Sequence, residues 1–246
     1  MKLLLSDLDA LVKHICSEFG KEKVIIMGHS WGTFLGGIYA GKYPDKVSAY
    51  VSVSQMLDLK KSEQVSSQEA IRLARAAGKT EDAEELRKKL DRLLSCQKFD
   101  KPEAAAFMKF RQLKEKYLPP QYSNKMLFFR VLSPYMTFAD LKWMLNFEKL
   151  IELNSGLYET LLSDGESSMY SYSLKYDVPV IIAAGDRDWT TPYCMALRYF
   201  KDISAPYKEF VTIGGTGHIP FADKPGEFAE ALLNALDHAF RNDQIV

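Results

Sequence analysis

The chain has 246 residues, 47% of them hydrophobic, enough to bury a core in one large domain or in a core carrying a substantial insertion. Lys plus Arg and Asp plus Glu both total 32, so the formal charge is zero, which gives no electrostatic case for nucleic acid or an anionic membrane; a neutral or small substrate fits better. Cys16, Cys96 and Cys194 are odd in number, far apart and without CxxC or Cys/His metal spacing, which points to reduced thiols, no metal site and a cytoplasmic setting.

The opening "MKLLLSDLDALVKHIC" has an apolar run too short for a signal peptide, and no later run is long enough to span a bilayer. Residues 6–19 place Leu8, Leu11, Val12, Ile15 and Phe19 at helical spacing, which predicts an amphipathic helix with Ser6 as cap and Gly20 as stop. "KVIIM" then reads as a short strand, "WGTFLGGIYAGKY" as a helix ended by Pro44, and "KVSAYVSVS" as a second buried strand. From about Leu59 to Lys175 the texture changes to helix formers and charges, with Ile71, Leu73, Ala74, Leu86, Leu90, Leu93 and Leu94 at helical intervals. Aromatics gather there: Tyr117, Tyr122, Phe128, Phe129, Tyr135, Phe138, Trp143 and Phe147 are expected to pack these helices together or to line a substrate pocket. The first pattern then returns as "VPVIIAAG", a helix over 193–200, "YKEFVTI" and a last helix over 224–240. Strands alternating with helices predict an α/β fold with a parallel sheet, its core formed by residues 1–58 and 176–246 and interrupted by a helical insertion over 59–175.

Gly28-His29-Ser30-Trp31-Gly32 has the form G-x-S-x-G, directly after one predicted strand and before a predicted helix. Such a turn strains the serine backbone and projects its hydroxyl above the strand end, while glycines two before and two after relieve crowding. The helix aims its dipole and free N–H groups at that hydroxyl, where oxyanion charge develops. A nucleophilic serine needs a base, and the base needs an acid to orient it. Asp186 and Asp188 follow the third predicted strand, and His218 follows the fourth in a glycine-rich loop. Of the other histidines, His14 lies on the first helix, His29 sits inside the turn facing away from the serine, and His238 lies near the C-terminus, which leaves His218 as the base.

These blocks, "DLDALVKHICSEFGKEKVIIMGHSWGTFLGGIYAGKYPDKVSAYVSVS" and "VPVIIAAGDRDWTTP…GTGHIPFADKPGEF", resemble the α/β-hydrolase superfamily and, within it, the prolyl-aminopeptidase-like branch. The resemblance implies an α/β-hydrolase core with a helical cap, and a Ser30, Asp188, His218 triad in that chain order. In the family pattern G-x-x-D-x-x-x-P the acid falls on Asp188, with Gly185 and Pro192 at the ends; Asp186 then caps a loop, and Asp58 is a weaker alternative acid. It further implies a serine hydrolase that cleaves a small ester or amide, or an N-terminal aminoacyl or prolyl peptide, through an acyl-enzyme, with the Trp31 N–H as oxyanion donor and no cofactor. Glu148, Glu152 and Glu159 in the cap are not matched to a substrate amine. The family's usual strands ahead of the nucleophile strand, with the loop carrying a second oxyanion N–H, have no counterpart here, and losing one donor costs about 2.7 to 4 kcal/mol. A truncated or non-catalytic binding form is therefore the alternative, and the open apolar edge of strand 23–29 is expected to be covered by another copy of the chain.

Overall fold

In the computed structural model, residues 1–122, 133–163, 167–172 and 174–242 are described; Phe128 and Phe129, and the side chains of Phe147 and Glu148, lie outside that set. Four short runs rich in β-branched residues form strands: β1 (Val24–His29), β2 (Val47–Val53), β3 (Val180–Gly185) and β4 (Lys208–Ile213). They pair in the order β1-β2-β3-β4, every pair parallel, so each connection crosses back through helix.

The two faces of the sheet bury different residues, as the period of two requires. Ile26, Tyr50, Val180 and Ile182 pack with Phe34, Ile38 and Tyr39 of α2 (Trp31–Lys42), Leu5 and Val12 of α1 (Lys2–Phe19) and Tyr199 of α9 (Tyr193–Asp202). Val51, Val53, Ile181 and Ala183 pack with Phe228, Ala235 and Ala239 of α11 (Pro225–Asn242), which follows the short α10 (Pro220–Asp223). On this second face β1 stays bare: Ile25 is 44% exposed and Met27 61%, although their neighbours across the ladder are buried.

The helix read over 6–19 begins at Lys2, so Ser6 lies inside it rather than at its cap, and Met1 makes no side-chain capping bond. Gly20 ends it as expected, at φ 61°, a left-handed conformation that glycine adopts without a Cβ penalty.

Residues Met1–Leu57 and Met169–Val246 make one compact unit, and Asp58–Ser168 make a second. The return to the α/β unit thus comes at Met169, earlier than 176, because Met169 and Tyr176 are buried with Tyr50 and Leu57 of that unit. The second unit holds α3 (Leu59–Ala76), α4 (Thr80–Leu94), α5 (Lys101–Glu115), α6 (Phe138–Leu145), α7 (Phe147–Leu153) and α8 (Ser155–Leu162). Asp58 caps α3 by accepting from Lys61 N at 2.9 Å, and Thr137 with Asp140 forms a capping box at α6. Its aromatic packing centres on Phe99, Phe107 and Tyr158, with ring centroids 4.8 to 5.8 Å apart. Of the aromatics expected to pack these helices together or to line a pocket, Tyr135 and Phe138 are 89% and 93% exposed and so do not pack between helices. Glu63 of α3 is fully buried and accepts from Arg111 at 2.9 Å and from Lys114, both on α5. Among the described residues, no helix is long and apolar enough to cross a membrane.

Candidate active site

Three loops leave the C-terminal ends of β1, β3 and β4, and in a parallel sheet these ends lie on the same edge. Ser30 follows β1 at φ 54° and ψ −121°, outside the regions that L-residues normally occupy. That strain is held from several sides. Ser30 N–H donates to Val53 O at 3.0 Å, while Ser30 O accepts from Thr33 N–H at 2.9 Å and from the Thr33 hydroxyl at 2.6 Å. Thr33 is fully buried, and its oxygen also accepts from Met56 N–H at 2.8 Å and Gln55 Nε2 at 3.2 Å. The turn is thereby tied to the segment that follows β2.

The two glycines of the G-x-S-x-G stretch differ in what they allow. A Cβ on Gly28 would meet the carbonyl oxygen of Gly32 at 2.4 Å, so no side chain fits there; a Cβ on Gly32 would meet nothing within 4 Å. The crowding expected at both positions thus arises at Gly28 alone. Trp31 is the first residue of α2, where a backbone N–H has no acceptor within the helix.

His218 Nε2 lies 2.9 Å from Ser30 Oγ, and its Nδ1 lies 3.0 Å from Asp188 Oδ2. A carboxylate can only accept, so Nδ1 carries the proton toward Asp188 and Nε2 accepts from the serine hydroxyl. Asp188 is 2% exposed, and its carboxylate also accepts bonds from its own loop. Oδ1 accepts from Thr190 N–H and Thr191 N–H, each at 2.9 Å, and Oδ2 accepts from the Thr191 hydroxyl at 2.8 Å. Burial pushes the Asp188 carboxyl up, but the His218 ring and the Thr191 donors outweigh it and hold the group below its ordinary range.

The Asp188 and His218 loops are in backbone contact. Arg187 N–H donates to Thr216 O at 3.0 Å, and Asp186 Oδ1 accepts from Gly215 N–H at 2.7 Å, so Asp186 caps the neighbouring loop and leaves Asp188 to face the imidazole. Asp58 caps α3. Glu159 accepts from Phe99 N–H at 2.8 Å and Glu152 pairs with Lys149 at 3.2 Å, so both carboxylates are engaged within the helical unit. His14 pairs with Glu18 at 3.2 Å and His238 with Glu209 at 3.3 Å.

Four residues of this neighbourhood escaped the reading of the sequence: Thr33, Ser54, Thr191 and, in its actual role, His29. Thr191 had a usable signal, since an aspartate followed three residues later by threonine is a side-chain-capped turn. Ser54 and His29 had none, because their bonds to the His218 carbonyl join segments distant in sequence, as do the bonds that Thr33 accepts from Gln55 and Met56.

No curated protein matches the chain. Solved structures do, at low identity. A marine microorganism esterase is 19% identical with a TM-score of 0.50, covering 94% of this chain and 76% of its own. The proline iminopeptidase of Mycobacterium smegmatis is 20% identical with a TM-score of 0.50, covering 94% and 69%. The protein VinJ is 16% identical with a TM-score of 0.54, covering 96% and 71%. At such identities the likeness is one of fold. The sequence model of the alpha/beta hydrolase fold matches residues 5–225, and the chain belongs to that family.

Proposed function

We propose that the chain is a serine hydrolase in which Ser30 is the nucleophile, His218 the general base and Asp188 the residue that orients the base. The observation that carries this reading is the hydrogen-bonded chain Ser30 Oγ, His218 Nε2, His218 Nδ1, Asp188 Oδ2, with links of 2.9 and 3.0 Å, on a serine held at positive φ. A strained serine with an imidazole nitrogen within hydrogen-bond reach is what nucleophilic catalysis needs.

In the proposed reaction His218 takes the Ser30 proton as Oγ attacks the substrate carbonyl carbon. The Trp31 N–H stabilises the resulting oxyanion. Collapse expels the leaving group, which departs with the proton from His218, and water then hydrolyses the Ser30 ester with His218 again as base. Asp188 fixes the tautomer and stabilises the imidazolium without taking the proton. The substrate class is a small ester or amide. An N-terminal aminoacyl or prolyl amide is the narrower candidate, which rests on resemblance to the prolyl-aminopeptidase-like branch. We assign the role of a lid domain to the helical unit between β2 and β3.

The test is the intact mass of the protein after treatment with a fluorophosphonate, with Ser30→Ala and His218→Ala alongside. One adduct per chain on the wild type, absent from both variants, supports the reading. A folded wild type that takes up no adduct overturns it in favour of a binding protein that retains the arrangement without turnover.

A further inference from the structure

The main-chain carbonyl of His218 receives two side-chain donors. His29 Nε2 lies 2.9 Å from it, and because a carbonyl only accepts, this nitrogen carries a proton. The Ser54 hydroxyl donates to the same oxygen at 3.0 Å. Neither donor comes from the His218 loop: His29 is the last residue of β1, and Ser54 directly follows β2.

Both donors are themselves fixed. Ser54 is fully buried at φ 55°, one of two non-glycine residues at positive φ among the described residues, and its N–H donates to Ala183 O at 2.8 Å. A left-handed serine at a strand end is a costly conformation, kept where the surroundings require it. The His29 ring stands edge-on to Phe221 with centroids 5.0 Å apart, and tilted against the His218 ring at 4.9 Å. Burial keeps His29 below its ordinary range, so the ring facing His218 is neutral.

Consecutive residues 29 and 30 therefore grip opposite ends of one residue, His29 its backbone oxygen and Ser30 its ring nitrogen. The two grips do not last equally through the proposed reaction. Once Ser30 is acylated, its oxygen has no proton to donate, and the bond to His218 Nε2 is gone. The carbonyl bonds survive that step. We propose that His29 and Ser54 are positioning residues that clamp the His218 carbonyl and hold its ring in place for the water step, when the bond to serine is absent. This inference rests on the assignment of Ser30 and His218 above. In the step it serves, water adds to the acyl carbonyl carbon and passes a proton to Nε2. Ser30 oxygen then leaves and takes that proton back, and the acid is released.

His29→Phe keeps an aromatic ring against Phe221 and removes the donor, His29→Gln restores an N–H donor, and Ser54→Ala removes the second donor at unchanged φ. Stopped-flow release of p-nitrophenol from p-nitrophenyl acetate separates the acylation burst from the deacylation rate. For His29→Phe the expected result is a burst rate within about three-fold of wild type and a steady-state rate about ten-fold lower, so that kcat and KM fall together. His29→Gln should bring the steady rate back to within about three-fold of wild type. Ser54→Ala with His29→Phe should lose more than the product of the single losses, because the carbonyl then loses both side-chain donors at once.

A burst and steady rate lowered equally in His29→Phe, or no recovery in His29→Gln, overturns the clamp. Nitrogen-15 signals of the His218 ring read the same question without turnover. With the clamp, they keep one tautomer in the wild type and His29→Gln and become a mixture in His29→Phe with Ser54→Ala; identical signals in all three proteins overturn it. A wild type with no burst and no fluorophosphonate adduct rejects the hydrolase reading, and the ring signals then decide the clamp by themselves. Should His29→Phe fail to fold, Ser54→Ala and His29→Gln carry the comparison.

Discussion

Gly185 and Gly217 approach so closely that a Cβ on Gly185 would sit 2.3 Å from the Gly217 carbonyl oxygen, with Thr216 O at 2.4 Å. Both obstacles are backbone, so no rotamer change relieves the clash. The contact sets the spacing between the loop that carries Asp188 and the loop that carries His218. Gly185→Ala should destabilise the protein by about 2 kcal/mol and cut fluorophosphonate labelling at least about ten-fold. Gly32→Ala, which meets open space, should leave the unfolding free energy unchanged or raise it by up to about 1 kcal/mol, since alanine favours a helix. Urea unfolding of the two variants against the wild type gives the comparison, and equal losses would count against the packing argument.

Thr191 supplies two of the bonds to Asp188, one from its N–H and one from its hydroxyl. Thr191→Val keeps the shape and the N–H but deletes the hydroxyl. Labelling of Ser30 should slow by about five-fold, the value of one net hydrogen bond. Asp188→Asn should lose far more, about a thousand-fold or beyond, because an amide can present its N–H to Nδ1 and favour the wrong tautomer. Similar rates for the two variants would remove Asp188 from its assigned role.

Glu63 is a fully buried carboxylate beside two cations. Burial pushes its carboxyl up, yet Arg111 and Lys114 outweigh this and hold it at about 2, against an ordinary value of 4.5. A carboxyl depressed by folding contributes stability that is fully present above its unfolded value and is lost as pH falls through its folded value. Acid should therefore weaken the helical unit as pH drops from about 4.5 toward about 2. Glu63→Gln should cost about 3 to 5 kcal/mol at neutral pH, since two cations lose their partner, and should flatten the dependence in that window. Thermal unfolding followed by circular dichroism between pH 2 and pH 7 tests both statements.

Among the described residues β1 has a ladder partner on one side only, and Ile25 and Met27 present apolar surface. An open edge with exposed hydrophobics is a template for pairing. We expect a second copy of the chain to occupy it, so sedimentation velocity should show association that grows with concentration. Ile25→Lys with Met27→Glu should shift the distribution toward monomer. A wild type that stays monomeric at millimolar concentration would reject this expectation.

Much of the architecture was legible because its signals are local. The β-branched runs gave all four strands, and G-x-S-x-G between a strand and a helix located the bend at Ser30. His218 could be chosen because it follows a strand, and strand ends of a parallel sheet converge; Asp186 and Asp188 share such a position, and only the resemblance to the family pattern favoured Asp188. The misreadings came where local pattern and tertiary demand part. Ser6 looks like a cap by residue type, yet the helix runs through it, since Leu5 upstream is wanted in the core. Tyr135 and Phe138 look like core by hydrophobicity, yet the helical unit fills its interior with Phe99, Phe107 and Phe110 instead. The bonds from His29 and Ser54 to the His218 carbonyl span more than 160 positions of sequence, as their separations of 189 and 164 show, and no local pattern encodes such a meeting.

The placement of the helical unit between β2 and β3 also imposes an order on the birth of the molecule. β2 ends at Val53 and its partner β3 begins at Val180, so a ribosome adding about 5 to 20 residues per second needs on the order of 10 s to make the second after the first. During that interval one face of β1 and β2 can already be covered by α1 and α2, whereas Val51 and Val53 on the other face of β2 await α11, and the intervening helices can fold through contacts close in sequence. His218, made last of the three site residues, arrives only when the sheet is nearly whole. A nascent chain therefore exposes Val51 and Val53 well before His218 can come within reach of Ser30, so the apolar face of β2 and the Ser30–His218 pair are completed in the same late stage.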